Sequence, residues 1–156
     1  MLRKIFVATT VITFSALIGV GSAFAATHEV LMLNKNPDDK KQRNVFYPNI
    51  LKIEVGDTVK FISKSKGHNT ESYKKTLPDG AEMWKSKISK DFEITYTAEG
   101  TYAYKCTPHA GMGMVGLILV GDHTVNYDAV KSAKYRGKAK KVFPKLFEKV
   151  EAMYTE

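Results

Sequence analysis

The chain has 156 residues, 44% of them hydrophobic and 26% charged, with 24 basic residues against 16 acidic ones and a net charge of +8. That length allows one domain with a real core and is too short for two. A single cysteine excludes any internal disulfide, so Cys106 is either inert and buried, paired between chains, or chemically occupied.

Arg3 and Lys4 precede a mostly apolar run from Ile5 to Val20 and the small-residue pattern Ala23-Phe24-Ala25. This reads as a secretory signal peptide over residues 1–25, cleaved after Ala25. The apolar run carries three threonines and a serine and falls short of the roughly 20 apolar residues a membrane span needs. Residues 26–156 are then expected as one exported domain without a membrane anchor, and loss of Arg3 and Lys4 lowers its charge to +6. Such a surface favours an acidic partner or membrane. Export, and the lack of an Arg-rich helix or an aromatic nucleic-acid motif, count against nucleic acid.

Thr27 to Leu33 reads as a first strand, followed by a polar loop from Asn34 to Asn44 and a short apolar contact segment, Val45-Phe46-Tyr47-Pro48. Ile50 to Val55 and Thr58 to Ile62 flank Gly56-Asp57 and are expected to pair as a hairpin. The second of these runs into a loop containing Gly67-His68-Asn69. A long connection with one helical turn is expected over Asn69 to Lys90, with Met83-Trp84 as core or site-flanking residues. Asp91 to Thr97 alternates with Phe92, Ile94 and Tyr96 on one face, and Glu99-Gly100 is expected to turn it back into Thr101 to Lys105. Val115 to Val120 is almost continuously apolar, as suits a strand buried on both faces.

Beyond Gly121-Asp122 the chain becomes lysine-rich and helical in pattern. One helix is expected over Asn126–Lys134. A second follows Lys138, where Ala139, Val142, Phe143, Leu146, Phe147, Val150 and Met153 recur at helical spacing. Pro144 is expected to start or kink that helix. Strands closed by turns and followed by helices imply a mainly β protein: a small antiparallel sandwich with a helical appendage.

The chemistry is concentrated in Tyr104 to Val115, which holds a thiol, an imidazole and two thioethers. Cys106, His109 and Met114 are separated by small and turn-forming residues, so one tight loop can aim all three at a common point, and His68 upstream would complete a set of four. Soft sulfur ligands favour copper, and two histidines, a cysteine and a distant axial methionine make the blue-copper electron-transfer arrangement. Taken singly, His68 reads as a loop histidine and Met112 and Met114 as core fillers; the Cys-x2-His spacing with a methionine five residues beyond gives them joint meaning. Zinc is disfavoured, because its structural sites use four Cys or His ligands. Asn69 is placed to tie the two loops together and to offer its backbone N–H to the Cys106 sulfur, whereas Pro108 has no N–H to offer. His28 and His123 lack such context and are expected at the surface.

Tyr104 to Val120, together with Ser65-Lys66-Gly67-His68-Asn69, Gly80-Ala81-Glu82 and Lys85-Ser86-Lys87-Ile88, resembles the pseudoazurins, periplasmic type I copper proteins of the cupredoxin fold. The resemblance implies a Greek-key β-sandwich or barrel with two C-terminal α-helices, and one copper ion per chain on His68, Cys106, His109 and Met114. It implies a monomeric periplasmic carrier cycling Cu(I) and Cu(II), not an enzyme, that donates electrons to a denitrification reductase such as copper nitrite reductase. A copper-delivery protein without redox duty is the alternative. By the same resemblance electrons leave through the ring edge of His109, inside an apolar patch of Pro108, Ala110 and Met112. Lys64, Lys66, Lys74, Lys75 and Lys105 are candidates to rim that patch and guide an acidic redox partner. Two positions depart from the family's habit: Ala110 stands where an aromatic is common, and Asn44 where a methionine is common, so that a thinner patch and a missing thioether are expected.

Overall fold

The computed structural model describes residues 25–155, so the expected leader lies outside the described residues apart from Ala25. Eight strands form two four-stranded sheets. The first contains β1 (Thr27–Lys35), β2 (Arg43–Tyr47), β4 (Thr58–Ile62) and β6 (Phe92–Thr95), in the order β2-β1-β4-β6. The second contains β3 (Ile50–Ile53), β5 (Glu71–Ser72), β7 (Gly100–Lys105) and β8 (Val115–Val120), in the order β3-β8-β7-β5. Two helices close the chain, α1 (Tyr127–Lys131) and α2 (Ala139–Ala152). The mainly β sandwich with a helical appendage is therefore the observed architecture, with both sheets open.

Alternation sorts the side chains into two cores. Val30, Met32, Phe46, Val59 and Phe61 from the first sheet meet Tyr102, Tyr104, Ile118 and Val120 from the second. The outer face of the second sheet turns Ala103, Val115, Leu117 and Leu119 onto Val130, Phe143, Leu146, Phe147 and Val150 of the helices. β8 thus feeds both cores, which is why its sequence is apolar at every position and its residues are all buried. Close packing fixes its glycine too. A Cβ on Gly116 would come within 2.5 Å of Tyr104 Cζ, and that ring is hemmed in by Phe46 at 4.6 Å and Phe61 at 5.3 Å between centroids.

Neither expected hairpin forms. β3 lies parallel to β8 in the second sheet, while β4 lies parallel to β1 and antiparallel to β6 in the first. Likewise β6 and β7 belong to different sheets. Gly56-Asp57 and Glu99-Gly100 are corners at which the chain changes sheet, and local turn chemistry is the same for a corner as for a hairpin. The Asp57 carboxylate holds the first corner by accepting the N–H of Glu54 at 3.0 Å. At the second, a Cβ on Gly100 would strike Asn126 Oδ1 and Pro78. The contact segment lies in strand β2 except for Pro48, and the helical turn expected in the long connection is a 3-10 turn at Lys74–Thr76.

In α2 the expected face is buried at Ala139, Phe143, Leu146, Phe147 and Val150, whereas Met153, just past the last helical residue, is 58% exposed. Pro144 sits inside the helix, beyond the first turn where its missing N–H would cost nothing. Helix α1 is shorter than expected, ending at Lys131 with Ser132 as its C-cap, and Asp122 caps a 3-10 turn over His123–Asn126 that leads into it. Among the described residues no helix is long and apolar enough to cross a membrane.

Candidate metal centre

The β7–β8 pairing sets the site's frame. Lys105 lies opposite Val115 and Tyr104 opposite Gly116, so the chain leaves and re-enters the sheet at adjacent strand ends with Cys106 to Met114 as the connection. That connection is wound on its own backbone. The Cys106 carbonyl accepts the N–H groups of His109 and Ala110, the Met114 N–H donates to His109, and the Cys106 N–H donates back to Met114. Gly113 closes the turn at φ +95°, a conformation suited to glycine.

The second loop is fixed from the neighbouring segment. Ser89 N–H donates to the His68 carbonyl at 2.8 Å and Ser89 Oγ accepts the Gly67 N–H at 2.8 Å. Asn69, almost fully buried, joins the loops. Its Oδ1 accepts the Thr107 N–H at 2.7 Å, and its Nδ2 donates to Thr107 Oγ1 at 2.9 Å and to the Ser86 carbonyl at 3.2 Å. Thr107 also donates to Glu71, on the edge strand β5.

Three donor side chains converge. His68 Nδ1 and His109 Nδ1 are 3.0 Å apart, and Cys106 Sγ lies 3.8 Å from the first and 3.4 Å from the second. Bonds of about 2.0–2.3 Å from nitrogen and sulfur to one ion, splayed at tetrahedral to trigonal angles, put donor atoms about 3.3–3.8 Å apart; both sulfur–nitrogen distances match that spacing, and the two imidazoles stand slightly closer. The cluster is the only group of three or more metal-binding side chains of this type among the described residues. The fourth expected residue, Met114, is 1% exposed and packs in the same core as Cys106. Two imidazoles, a thiol and a buried thioether loop fit copper in their donor chemistry.

The electrostatics suit metal capture. Burial pushes the Cys106 thiol above its ordinary value, while the backbone N–H groups of Asn69 and His109 pull the other way. The thiol therefore keeps its proton until a cation displaces it. Burial, and then the neighbouring His109, lower the proton affinity of His68, which favours the neutral ligand form. The second backbone donor comes from His109, one residue beyond the proline that cannot supply it.

Asn34 was not singled out by sequence pattern, yet its Oδ1 receives His68 Nε2 at 2.8 Å. That contact leaves Nδ1 as the free nitrogen facing the cluster. No local signal reveals it, since Asn34 lies at the far end of β1. The helical appendage also reaches the site: Lys138 N–H donates to Gly111 at 2.9 Å, and Val142 packs where a Cβ on Gly113 would sit.

His68 is fully buried, whereas His109 is partly open between exposed Pro108 and Met112 and half-buried Ala110. Asn44, at φ +54°, directs its amide toward the Met112 sulfur at 3.9 Å, so position 44 brings an amide to this patch where a thioether is common. A hollow of about 590 Å³ next to Met112 is bordered by Lys41, Arg43, Lys138, Lys145 and Lys149. Another of about 360 Å³ beside Ala110 is bordered by Lys105, Lys134 and Arg136. Of the lysines expected at the rim, Lys64, Lys66, Lys74 and Lys75 are exposed, while Lys105 is engaged with Glu71 at 3.7 Å and lies over the Tyr73 ring. His28 and His123 stand apart from the cluster: the first binds Asp57 and the second stacks on Tyr154.

Residues 34–121 match the family model for copper-binding proteins of the plastocyanin/azurin family. The pseudoazurin of Paracoccus pantotrophus is 50% identical over 117 residues, covering 75% of this chain and 79% of that protein. The pseudoazurin of Methylorubrum extorquens is 37% identical over 129 residues, covering 81% and 85%. Among solved structures, a Sinorhizobium pseudoazurin superposes with a TM-score of 0.77 at 43% identity, covering 81% of this chain and 97% of that one.

Proposed function

The chain belongs to the plastocyanin/azurin family of copper-binding proteins and groups with its pseudoazurins, and from that premise we propose that it is a periplasmic one-electron carrier serving a denitrification reductase. Its family are electron carriers rather than enzymes, and copper is its cofactor. In this reading His68, Cys106, His109 and Met114 would hold one ion, Met114 through a weakly binding thioether. The observation that carries it is the convergence of His68, Cys106 and His109 at the mouth of the β7–β8 pair, all three donor atoms lying within 4.8 Å of one another. Bound copper supplies a Cu(I)/Cu(II) couple.

The protein's part is to keep the donors still. Asn34 sets the His68 ring, Asn69 ties the His68 loop to Thr107, and two backbone N–H groups face the Cys106 sulfur. Ligands fixed by a sandwich and second contacts of this kind move little on a change of charge, which favours fast exchange of a single electron. The part-open ring of His109 is the exit, and the apolar patch around it is the contact surface. The basic residues bordering the two hollows, with the lysines near the His68 loop, steer an acidic partner such as copper nitrite reductase to a small transient interface. Residues 1–25 act as the export leader, and the remaining domain works as a monomer.

The test is the visible spectrum of the copper-loaded protein. An intense thiolate-to-copper band that vanishes in Cys106→Ser is expected; copper bound with no such band would refute the site. Steered docking predicts that the rate of electron transfer to copper nitrite reductase falls steeply with added salt, and a salt-independent rate would refute that partner surface. Copper exchange with chelators faster than electron self-exchange would favour delivery over transport.

A further inference from the structure

The corner between β3 and β4 contains a carboxylate whose surroundings exceed what a turn requires. Asp57 is 5% exposed. Its Oδ1 accepts the backbone N–H of Ala26 at 2.7 Å, and its Oδ2 accepts the N–H of Glu54 at 3.0 Å and faces His28 Nε2 at 2.8 Å. Ala26 is held from its other side as well, its carbonyl accepting the Thr58 N–H at 2.8 Å, and the Asp57 carbonyl accepts the N–H of Tyr96. Among the described residues no lysine or arginine forms an ion pair with this carboxylate; His28 is its one side-chain partner of possible positive charge. The nitrogen aimed most closely at a buried anion thus belongs to an exposed alanine at the start of β1.

A separate observation falls on the same atom. The small-residue pattern Ala23-Phe24-Ala25 places leader cleavage at the Ala25–Ala26 bond. Hydrolysis there adds water across the peptide bond. The carboxylate leaves with Ala25, and the Ala26 nitrogen becomes an amine that takes up a proton near neutral pH.

We propose that Asp57 is the receptor for the chain's own new amino terminus: processing converts a neutral amide donor into an α-ammonium seated on Asp57 Oδ1, and so fastens β1 to the β3–β4 corner. The inference rests on the leader reading given above. A backbone N–H on this carboxylate is already a charge-assisted donor, and an ammonium in its place adds the attraction between two full opposite charges, so the mature chain gains stability that the unprocessed chain lacks. Asp57 binds the Ala26 nitrogen in both forms, and the increment comes from the charge alone.

The experiment uses the copper-loaded mature protein in four forms: Ala26 free or N-acetylated, each with Asp57 or Asp57→Asn. Acetylation keeps one N–H and removes the charge. It should raise the unfolding constant about tenfold when Asp57 is present and less than roughly twofold in Asp57→Asn. An equal effect in both backgrounds overturns the proposal. Should Asp57→Asn fail to fold, a chain with one glycine ahead of Ala26 displaces the ammonium while keeping the amide; stability equal to that of the mature chain overturns the proposal. Amino-terminal sequencing of the exported protein separates the two premises. A start at any residue but Ala26 sinks the leader reading and the receptor together, whereas an Ala26 start without coupling sinks the receptor alone.

Discussion

Replacement of Asn69 by alanine isolates the tie between the two ligand loops. The side chain makes three hydrogen bonds, two with Thr107 and one with the Ser86 carbonyl. Thr107 is exposed, so its N–H and hydroxyl can turn to water, and each lost bond there costs about 0.5–1.5 kcal/mol. Ser86 is buried at 7% exposure, and its orphaned carbonyl costs about 1–3 kcal/mol. The sum is a loss of roughly 2–6 kcal/mol, measured as a lower urea midpoint at constant slope in the metal-free protein. Asn69→Ala keeps the backbone N–H that faces the Cys106 sulfur, so the thiolate-to-copper band should persist while electron self-exchange slows as the loops loosen. A stability change below about 0.5 kcal/mol would refute the role of the tie, and disappearance of the band would show that the side chain, not the backbone, supports the sulfur.

Three other perturbations test separate parts of the structure. Gly116→Ala drives a methyl into the boxed Tyr104 ring and should destabilise the protein by about 1–3 kcal/mol in calorimetry; wild-type stability would mean the ring is free to move. Asn34→Leu removes the acceptor for His68 Nε2 and should weaken copper binding by about 10- to 100-fold in competition with a chelator; unchanged affinity would deny Asn34 an orienting role. Asp57 has a folded pKa lowered from 3.8 to about 2 by the N–H groups of Ala26 and Glu54 and by His28. Because the folded value is depressed, its stabilisation is complete above the ordinary carboxylate range and is lost as pH falls toward 2. The stability gap between wild type and Asp57→Asn should therefore narrow between those values, and a gap constant with pH would refute the assignment.

Local and distant features differ in how legible they are in the sequence. Cys106, His109 and Met114 share one connection, so spacing alone places them together. Phe92, Ile94 and Tyr96 show one strand face by alternation, and β8 declares two-sided burial by having no polar position. What spacing cannot show is the sheet to which a strand belongs: β3 and β4 are neighbours in the chain yet lie in different layers, because Gly56-Asp57 is compatible with either path. Contacts between distant segments are equally silent. Asn34 on His68, Lys138 on Gly111 and Asn44 on Met112 have no periodicity to betray them. The basic border of the hollows escaped for the same reason, since Lys41, Lys145 and Lys149 are remote in sequence from both ligand loops.

The parallel pairing of β3 with β8 also imposes an order in time. Ile50 cannot find its partner Leu117 until most of the chain exists, and pairings of such long range form late. Cys106 has no cover until β8 has docked, and the residue that latches the appendage to the metal loop, Lys138, comes later still. A metal ion met by the nascent chain can find only the ligands that share one connection, Cys106, His109 and Met114; one met after closure finds His68 already waiting across the cleft. The finished fold, not the emerging chain, is the form equipped to select its ion.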